Sequence, residues 1–227
     1  MNHSRRQVLR LAASAVALAA CLTAVALASA AVLGLGSLAF LGTFLALQGA
    51  YTALLKHVVL IDVLAIAGLF VIRASAGAEA VNVRISPWLL ICTGLLALFL
   101  ALAKRRAELV LVGAGAGSVA GGAVGASAAT PGRPVLEGYS LALVDQLVSV
   151  VAASTVIAYS LYTFTARDSK AMMVTVPFVV YGVFRYLLLL HGRDLGEEPE
   201  NVLLTDVPLL LTIASWAATC AVILALT

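Results

Sequence analysis

Long apolar runs separated by short charged or turn-forming clusters divide the chain into seven segments. They are approximately Val8 to Leu33, Leu38 to Leu55, Val58 to Ala76, Pro87 to Ala103, Ser140 to Phe164, Ala171 to Leu190 and Val207 to Leu226. A helix rises about 1.5 Å per residue, so crossing a hydrocarbon core of about 30 Å takes roughly 20 apolar residues. The runs are close to that length. Because lipid offers a backbone no hydrogen-bond partners, each run is predicted to be a helix. The expected fold class is all-α, a polytopic transmembrane helical bundle of about seven spans forming a single domain over residues 1–227.

Composition points the same way. Of 227 residues, 63% are hydrophobic and 11% charged, and the mean hydropathy is +1.09, whereas a soluble domain is nearer half apolar. The chain reads as an integral membrane protein whose first partner is the lipid bilayer. A net charge of +3 without aromatic residues interleaved among the cations gives no basis for a nucleic-acid partner. Cys21, Cys92 and Cys220 all sit inside apolar runs, with neither metal spacing nor an obvious pairing, and read as small core residues. The absence of a Ser-His-Asp grouping or a His-rich set argues against hydrolytic and zinc chemistry.

The cations are unevenly distributed, which predicts an orientation. With the N-terminus in the cytoplasm, that side holds Arg5, Arg6, Arg10, Lys56, Lys104, Arg105, Arg106, Arg133 and Arg193, and the other side only Arg84, Arg167 and Lys170. The expected location is the plasma membrane, with the active face cytoplasmic. Ser4 to Arg10 followed by an Ala-rich stretch resembles a twin-arginine signal, and Leu18-Ala19-Ala20-Cys21 a lipoprotein cleavage box. The run is long for a signal, and six further spans follow it, so it is read as the first helix.

Residues 110–134 form a tract rich in Gly, Ala and Ser, expected to be a cytoplasmic linker, with a marginal eighth span as the alternative. Gly115, Gly117 and Ala120 match the spacing of a dinucleotide fingerprint, but no strand or βαβ unit surrounds them.

Charges inside hydrocarbon cost several kcal/mol by insertion scales, about 2.5–3.5 at a span centre, and mark functional candidates. Asp62, Arg73, Asp145 and Arg185 are such charges. Asp62 and Arg73 are eleven residues apart, which returns them to nearly one helix face about three turns apart, a placement that suits one shared cavity. Arg185 lies between Tyr181 and Tyr186, and Asp145 near the start of its helix. Each is read either as a cavity-lining group or as half of an interhelical ion pair. Tyr51 and Lys56 end the second run, where a Lys is usually a snorkelling anchor. The acidic stretch GEEPE, Gly196 to Glu200, followed by Asp206 and Pro208, is read as a solvated connection or as a set of oxygen ligands for magnesium.

The segment AKRRAEL, Ala103 to Leu109, closes the fourth run with Lys104, Arg105, Arg106 and Glu108. Adjacent cations there serve either as an orientation signal or as a phosphate-binding group, with Arg suited to bidentate contact.

Taken in order, several segments resemble the UbiA superfamily of intramembrane prenyltransferases, and within it the branch that transfers phosphoribose to a polyprenyl phosphate. They are AYTALLKHVVLIDV (Ala50 to Val63), FVIRASAGAEAV (Phe70 to Val81), ISPWLL (Ile85 to Leu90) and LFLALAKRRAELV (Leu98 to Val110). Four more follow: VLEGYSLALVDQLVSVVAA (Val135 to Ala153), YSLYTF (Tyr159 to Phe164), VPFVVYGVFRYL (Val176 to Leu187) and GEEPENVLLTDVPLL (Gly196 to Leu210). The resemblance runs from Gly49 to Leu211. It implies a helical bundle, usually of nine spans, that moves 5-phosphoribose from phosphoribosyl pyrophosphate to polyprenyl phosphate with magnesium as cofactor, in cell-wall arabinan precursor synthesis. It further implies Lys56, Lys104, Arg105, Arg106 and Arg185 as phosphate contacts, and Tyr51, Asp62, Arg73, Asp145 and Tyr181 as cavity-lining candidates. Glu108 is the candidate metal ligand, and a homo-oligomer is left open.

One departure accompanies the resemblance. The superfamily carries NDxxDxxxD before its third span, and this chain has no such motif; Met1 to Arg10 resembles the basic segment that follows it. The expectation is therefore a chain lacking the first two helices and the first Asp-rich motif. Transfer to an aromatic acceptor and a shortened non-catalytic membrane protein are the alternatives.

Overall fold

The structure is a computed structural model that describes residues 2–119, 136, 138–165, 170–192 and 205–226. Among the described residues, seven helices appear in chain order: α1 (Asn2–Leu33), α2 (Leu35–Ala53), α3 (Ile61–Ala80), α4 (Pro87–Val119), α5 (Leu141–Thr165), α6 (Val176–Gly192) and α7 (Val207–Leu226). Short 3₁₀ turns at Leu55–His57 and Lys170–Thr175 lead towards α3 and into α6. Among the described residues, six helices are long and apolar enough to cross a membrane: α2, α3, α4 as far as Val112, α5, α6 with its leading turn, and α7. The Ala20–Leu33 part of α1 is apolar but shorter.

Local chemistry sets the breaks between helices. Gly34 separates α1 from α2 at φ 121, a region open to glycine because it has no Cβ. At the end of α3, Asn82 adopts φ 54. Its N–H bonds to the carbonyl of Glu79 and that of Val83 to Ala78, the paired closure of a Schellman motif, with Asn as the tolerated left-handed residue. Pro87 then opens α4, where its missing N–H costs nothing. Ser140 caps α5 by accepting the Leu143 N–H on Oγ at 3.2 Å, and Asp206 caps α7 by accepting the Leu209 N–H on Oδ1 at 2.9 Å.

The longest departure from expectation is α4. The fourth run was expected to end at Ala103, yet the helix continues through Lys104 to Glu108 and on to Val119. Lys, Arg, Ala, Glu and Leu are all strong helix formers, and the charged side chains of this turn find partners on neighbouring helices. The first part of the Gly/Ala tract is therefore helical, while residues 120–135 lie outside the described residues.

Packing is sequential and centres on α4 and α5. Phe99, Leu102 and Ala103 of α4 meet Val144, Val148, Val151 and Ala152 of α5, joined by Val63 of α3, Val183 and Tyr186 of α6, and Leu209 of α7. Buried Ala97, Ala101, Ala103 and Ala107 along α4 let its neighbours approach closely, the usual device where lipid removes the hydrophobic drive for helix association. α3 lies on α4, α2 on α3 and α1 on α2, while α6 bridges α5 and α7. Hydrogen bonds and ion pairs bring the start of α3, the Lys104–Glu108 turn of α4, the start of α5, the end of α6 and the start of α7 together, at what is here termed the basic end.

Candidate functional site

At the basic end, charged side chains expected as separate cavity groups are tied into interhelical networks. Asp62, one residue into α3, is fully buried. Its Oδ1 accepts the Tyr139 hydroxyl at 2.7 Å and its Oδ2 lies 3.4 Å from Nε of Arg105. Arg105 is itself 1% exposed and also donates to Glu108 through Nη1. The Tyr139 oxygen in turn accepts the backbone N–H of Leu60 at 2.7 Å. Leu60 adopts φ 66, an uncommon conformation for a non-glycine residue. Next to Tyr139, a Cβ on Gly138 would overlap Cγ2 of Val59, so glycine lets this segment close over Val59 and Leu60.

The consequence is a clasp. Gly138 and Tyr139, entering α5, hold down the turn that carries Lys56 and link it through Asp62 and Arg105 to α4. Burial, and after it the bond to Asp62, pushes the Tyr139 phenol up to about 12.

Two further ties lie nearby. Arg106 donates through Nε to Asp145 of α5 at 2.6 Å and through Nη1 to the carbonyl of Leu190 at the end of α6, at 2.8 Å. His191 Nε2 stands 3.5 Å from the same Asp145 oxygen. Arg185 of α6 grips Asp206 with both ends of its fork, Nε to Oδ1 at 3.2 Å and Nη2 to Oδ2 at 2.8 Å, and so fixes the cap of α7 against α6.

Arg105, Arg106 and Arg185 are thus engaged by carboxylates, and Glu108 by Arg105. Lys56 and Lys104 are half-buried, and no described residue takes the Lys56 ammonium. Tyr181 is 49% exposed on the outer surface of α6. GEEPE and Arg133 lie outside the described residues. Among the described residues, no three His, Cys, Asp or Glu side chains converge.

Asp62 is not among the residues that line the space beside Arg73. Arg73 lines that space, of about 280 Å³ between α2 and α3, with Phe44, Gln48, Tyr51, Ile66, Leu69 and Phe70. A common face on one helix does not decide which neighbour covers that face at each height. A second cavity, of about 460 Å³, lies between α4, α5, α6 and α7 and is walled almost entirely by apolar side chains, among them Leu96, Phe99, Val183 and Ile213. At one end Trp216 donates to the Tyr159 hydroxyl at 2.8 Å, Tyr159 bonds Thr175 at 2.7 Å, and Thr175 donates to the Met172 carbonyl at 2.5 Å.

Tyr139, Gly138 and His191 escaped the sequence reading, and Asp206, read there with the acidic stretch, is instead the cap of α7 and the partner of Arg185. Tyr139 and Gly138 act through partners nearly eighty residues away.

The fold and its charged end define a multi-pass α-helical membrane protein with a polar site at one end of the bundle. The chain is similar to curated proteins named decaprenyl-phosphate phosphoribosyltransferase, which agrees with the resemblance read from its ordered segments. It is 30% identical over 180 residues, 78% of this chain, to that of Mycobacterium tuberculosis (strain ATCC 25618 / H37Rv), of which it spans 54%. To the protein of that name from Mycolicibacterium smegmatis it is 28% identical over 191 residues, 79% of this chain and 55% of the relative. To that of Corynebacterium glutamicum it is 26% identical over 182 residues, 78% and 50% respectively. The chain spans about half the length of the curated relatives it matches. No family model matches it.

Proposed function

We propose that this chain transfers 5-phosphoribose from phosphoribosyl pyrophosphate to a polyprenyl phosphate at the cytoplasmic face of the plasma membrane, supplying a precursor for cell-wall arabinan. The lipid phosphate oxygen attacks the anomeric carbon, a new C–O bond forms, and the bond to pyrophosphate breaks with its electron pair leaving on the pyrophosphate. No enzyme nucleophile is needed, so catalysis rests on positioning and on stabilising charge at the leaving group. Magnesium belongs to the proposal as the ion that accompanies pyrophosphate into the site.

The observation that carries the reading is the clasp from Leu60 through Tyr139, Asp62 and Arg105. It draws the Lys56 turn onto the turn of α4 that bears Lys104 and Arg106, setting cations from two helices at one end of the bundle. In this reading Lys56 and Lys104 contact phosphate oxygens, while Arg105, Arg106 and Arg185, each held by a carboxylate that offsets its charge, keep the frame rigid.

The test uses membranes expressing the chain within its complete reading frame, supplied with phosphoribosyl pyrophosphate labelled in the ribose and with polyprenyl phosphate. Label passing into chloroform-soluble lipid in a magnesium-dependent manner, and falling at least tenfold in Lys56→Met, is the expected result. No lipid labelling in either protein would sink the reading.

A further inference from the structure

Arg73 poses a different electrostatic problem from the other intramembrane charges. It lies twelve residues beyond Ile61, about 18 Å along α3, and seven residues before Ala80, about 10 Å from that end. Helical side chains lean towards the N-terminus of their helix, which carries its guanidinium back towards mid-depth rather than out to the nearer surface. Arginine stays protonated at all physiological pH values. Asp62, Asp145 and Arg185 each meet an opposite charge, yet among the described residues no carboxylate and no carbonyl accepts an Arg73 N–H. Its contacts are the rings of Phe44 and Phe70, with the guanidinium carbon 5.6 and 5.7 Å from their centroids.

Two ring contacts attract the charge but take up none of the five N–H donors, because a phenyl face accepts no conventional hydrogen bond. The cavity of about 280 Å³ beside Arg73 carries two more polar groups, Gln48 and Tyr51, on the face of α2 that also bears Phe44. Gln48 and Tyr51 follow Phe44 towards the basic end of α2, so the polar lining runs from that end inward to Arg73. A fixed cation, a phenol and an amide around a space otherwise apolar call for a ligand that is anionic and rich in acceptor oxygens.

We propose that Arg73, with Tyr51 and Gln48, forms a phosphate-accepting site between α2 and α3, separate from the cations at the basic end. The ligand is a phosphate monoester group, brought either as the headgroup of an isoprenoid lipid or as free inorganic phosphate. Arg supplies the bidentate fork suited to phosphate oxygens, and Arg73 and Gln48 are exposed, so the fork is accessible to a ligand entering the space between α2 and α3. This assignment is read from α2 and α3 alone and does not depend on the transfer reaction.

The experiment measures binding to the purified full chain in an uncharged detergent, by calorimetry, with farnesyl phosphate and inorganic phosphate as separate probes. Farnesol serves as the uncharged control. In the wild-type chain at least one phosphate probe binds and farnesol binds much more weakly. Arg73→Gln weakens that probe at least tenfold, and Arg73→Lys weakens it less. Loss confined to farnesyl phosphate assigns the site to a lipid headgroup, and loss of both assigns it to phosphate in general. Both patterns support the site. Because Arg73→Gln removes an unneutralised intramembrane charge, its unliganded melting temperature is expected to match or exceed that of the wild-type chain. Equal affinity of wild type and Arg73→Gln for both probes, or no phosphate binding by the wild type, overturns the proposal. Since no turnover is measured, an inactive protein that still loses phosphate binding on Arg73→Gln would reject the transfer reaction while leaving this site standing.

Discussion

The Tyr139 hydroxyl donates to Oδ1 of Asp62 at 2.7 Å while accepting the N–H of Leu60 at the same distance. One oxygen therefore satisfies a buried carboxylate on α3 and a backbone donor in the turn before it. Replacing it by hydrogen in Tyr139→Phe leaves both unpaired in a site water does not reach. The expected loss is about 1–3 kcal/mol, read as a lower midpoint in thermal or denaturant unfolding of the detergent-solubilised protein.

The same phenol makes a prediction about alkaline pH. Its folded-state value of about 12 lies above the ordinary tyrosine value of about 10, so the folded state holds the proton more tightly than the unfolded one. The resulting stability is fully present below about pH 10 and is lost as pH rises through about 12. Ultraviolet titration of phenolate should show one tyrosine of the native wild-type chain ionising near the upper limit, and that component should be missing in Tyr139→Phe.

Asp62 and Arg105 form a buried pair in which each is about 1% exposed. Removing Arg105 leaves the Asp62 carboxylate buried with no opposite charge, at a cost of about 3–5 kcal/mol, and removing Asp62 leaves Arg105 buried with Glu108 as its remaining partner, whereas replacing both by apolar residues of similar volume is often neutral or stabilising. Asp62→Leu and Arg105→Met should each be strongly destabilising, and the double replacement should recover most of the loss. A double-mutant cycle on unfolding free energies checks the coupling.

Gly138 has no room for a methyl group because Val59 occupies the space where its Cβ would stand. Gly138→Ala is expected to cost about 1–3 kcal/mol through overpacking, and Val59→Ala in the same chain should relieve part of that cost. Suppression of one substitution by the other is the diagnostic result, since two independent defects would simply add.

Asp206 has two tasks that substitution can separate. Asn at this position keeps the cap on the Leu209 N–H but loses the charge that Arg185 grips, while Ala loses both. Asp206→Ala should be less stable than Asp206→Asn by about 0.5–2 kcal/mol, the usual worth of an N-cap. The comparison needs only the two melting curves.

Much of the fold was legible because membrane helices announce themselves through length and apolarity. The run from Val207 to Leu226 matches its helix at both ends, and that from Ser140 to Phe164 is displaced by one residue at each end. The end of α4 was misplaced because an apolarity scan stops at Lys104, while the backbone continues wherever its residues favour a helix and its charged side chains find partners. The candidate site was legible in residue type but not in partnership. Asp62, Arg105, Arg106, Asp145 and Arg185 stood out as charges in apolar surroundings, yet their spacing could not distinguish a phosphate ligand from an ion pair.

By itself, the sequence determined the class of the protein, the approximate limits of most of its described helices, and which residues carry charge where charge is expensive, since each follows from local composition and helix geometry. Only the tertiary structure decided how those charges were spent. Arg105 met Asp62 across forty-three positions, Tyr139 met Leu60 and Asp62 from the far side of a long connection, and Arg73 was left beside two phenyl rings and an open cavity. Pairings of this kind depend on which helix faces pack together and at what height, and that is settled by the whole bundle rather than by any one segment.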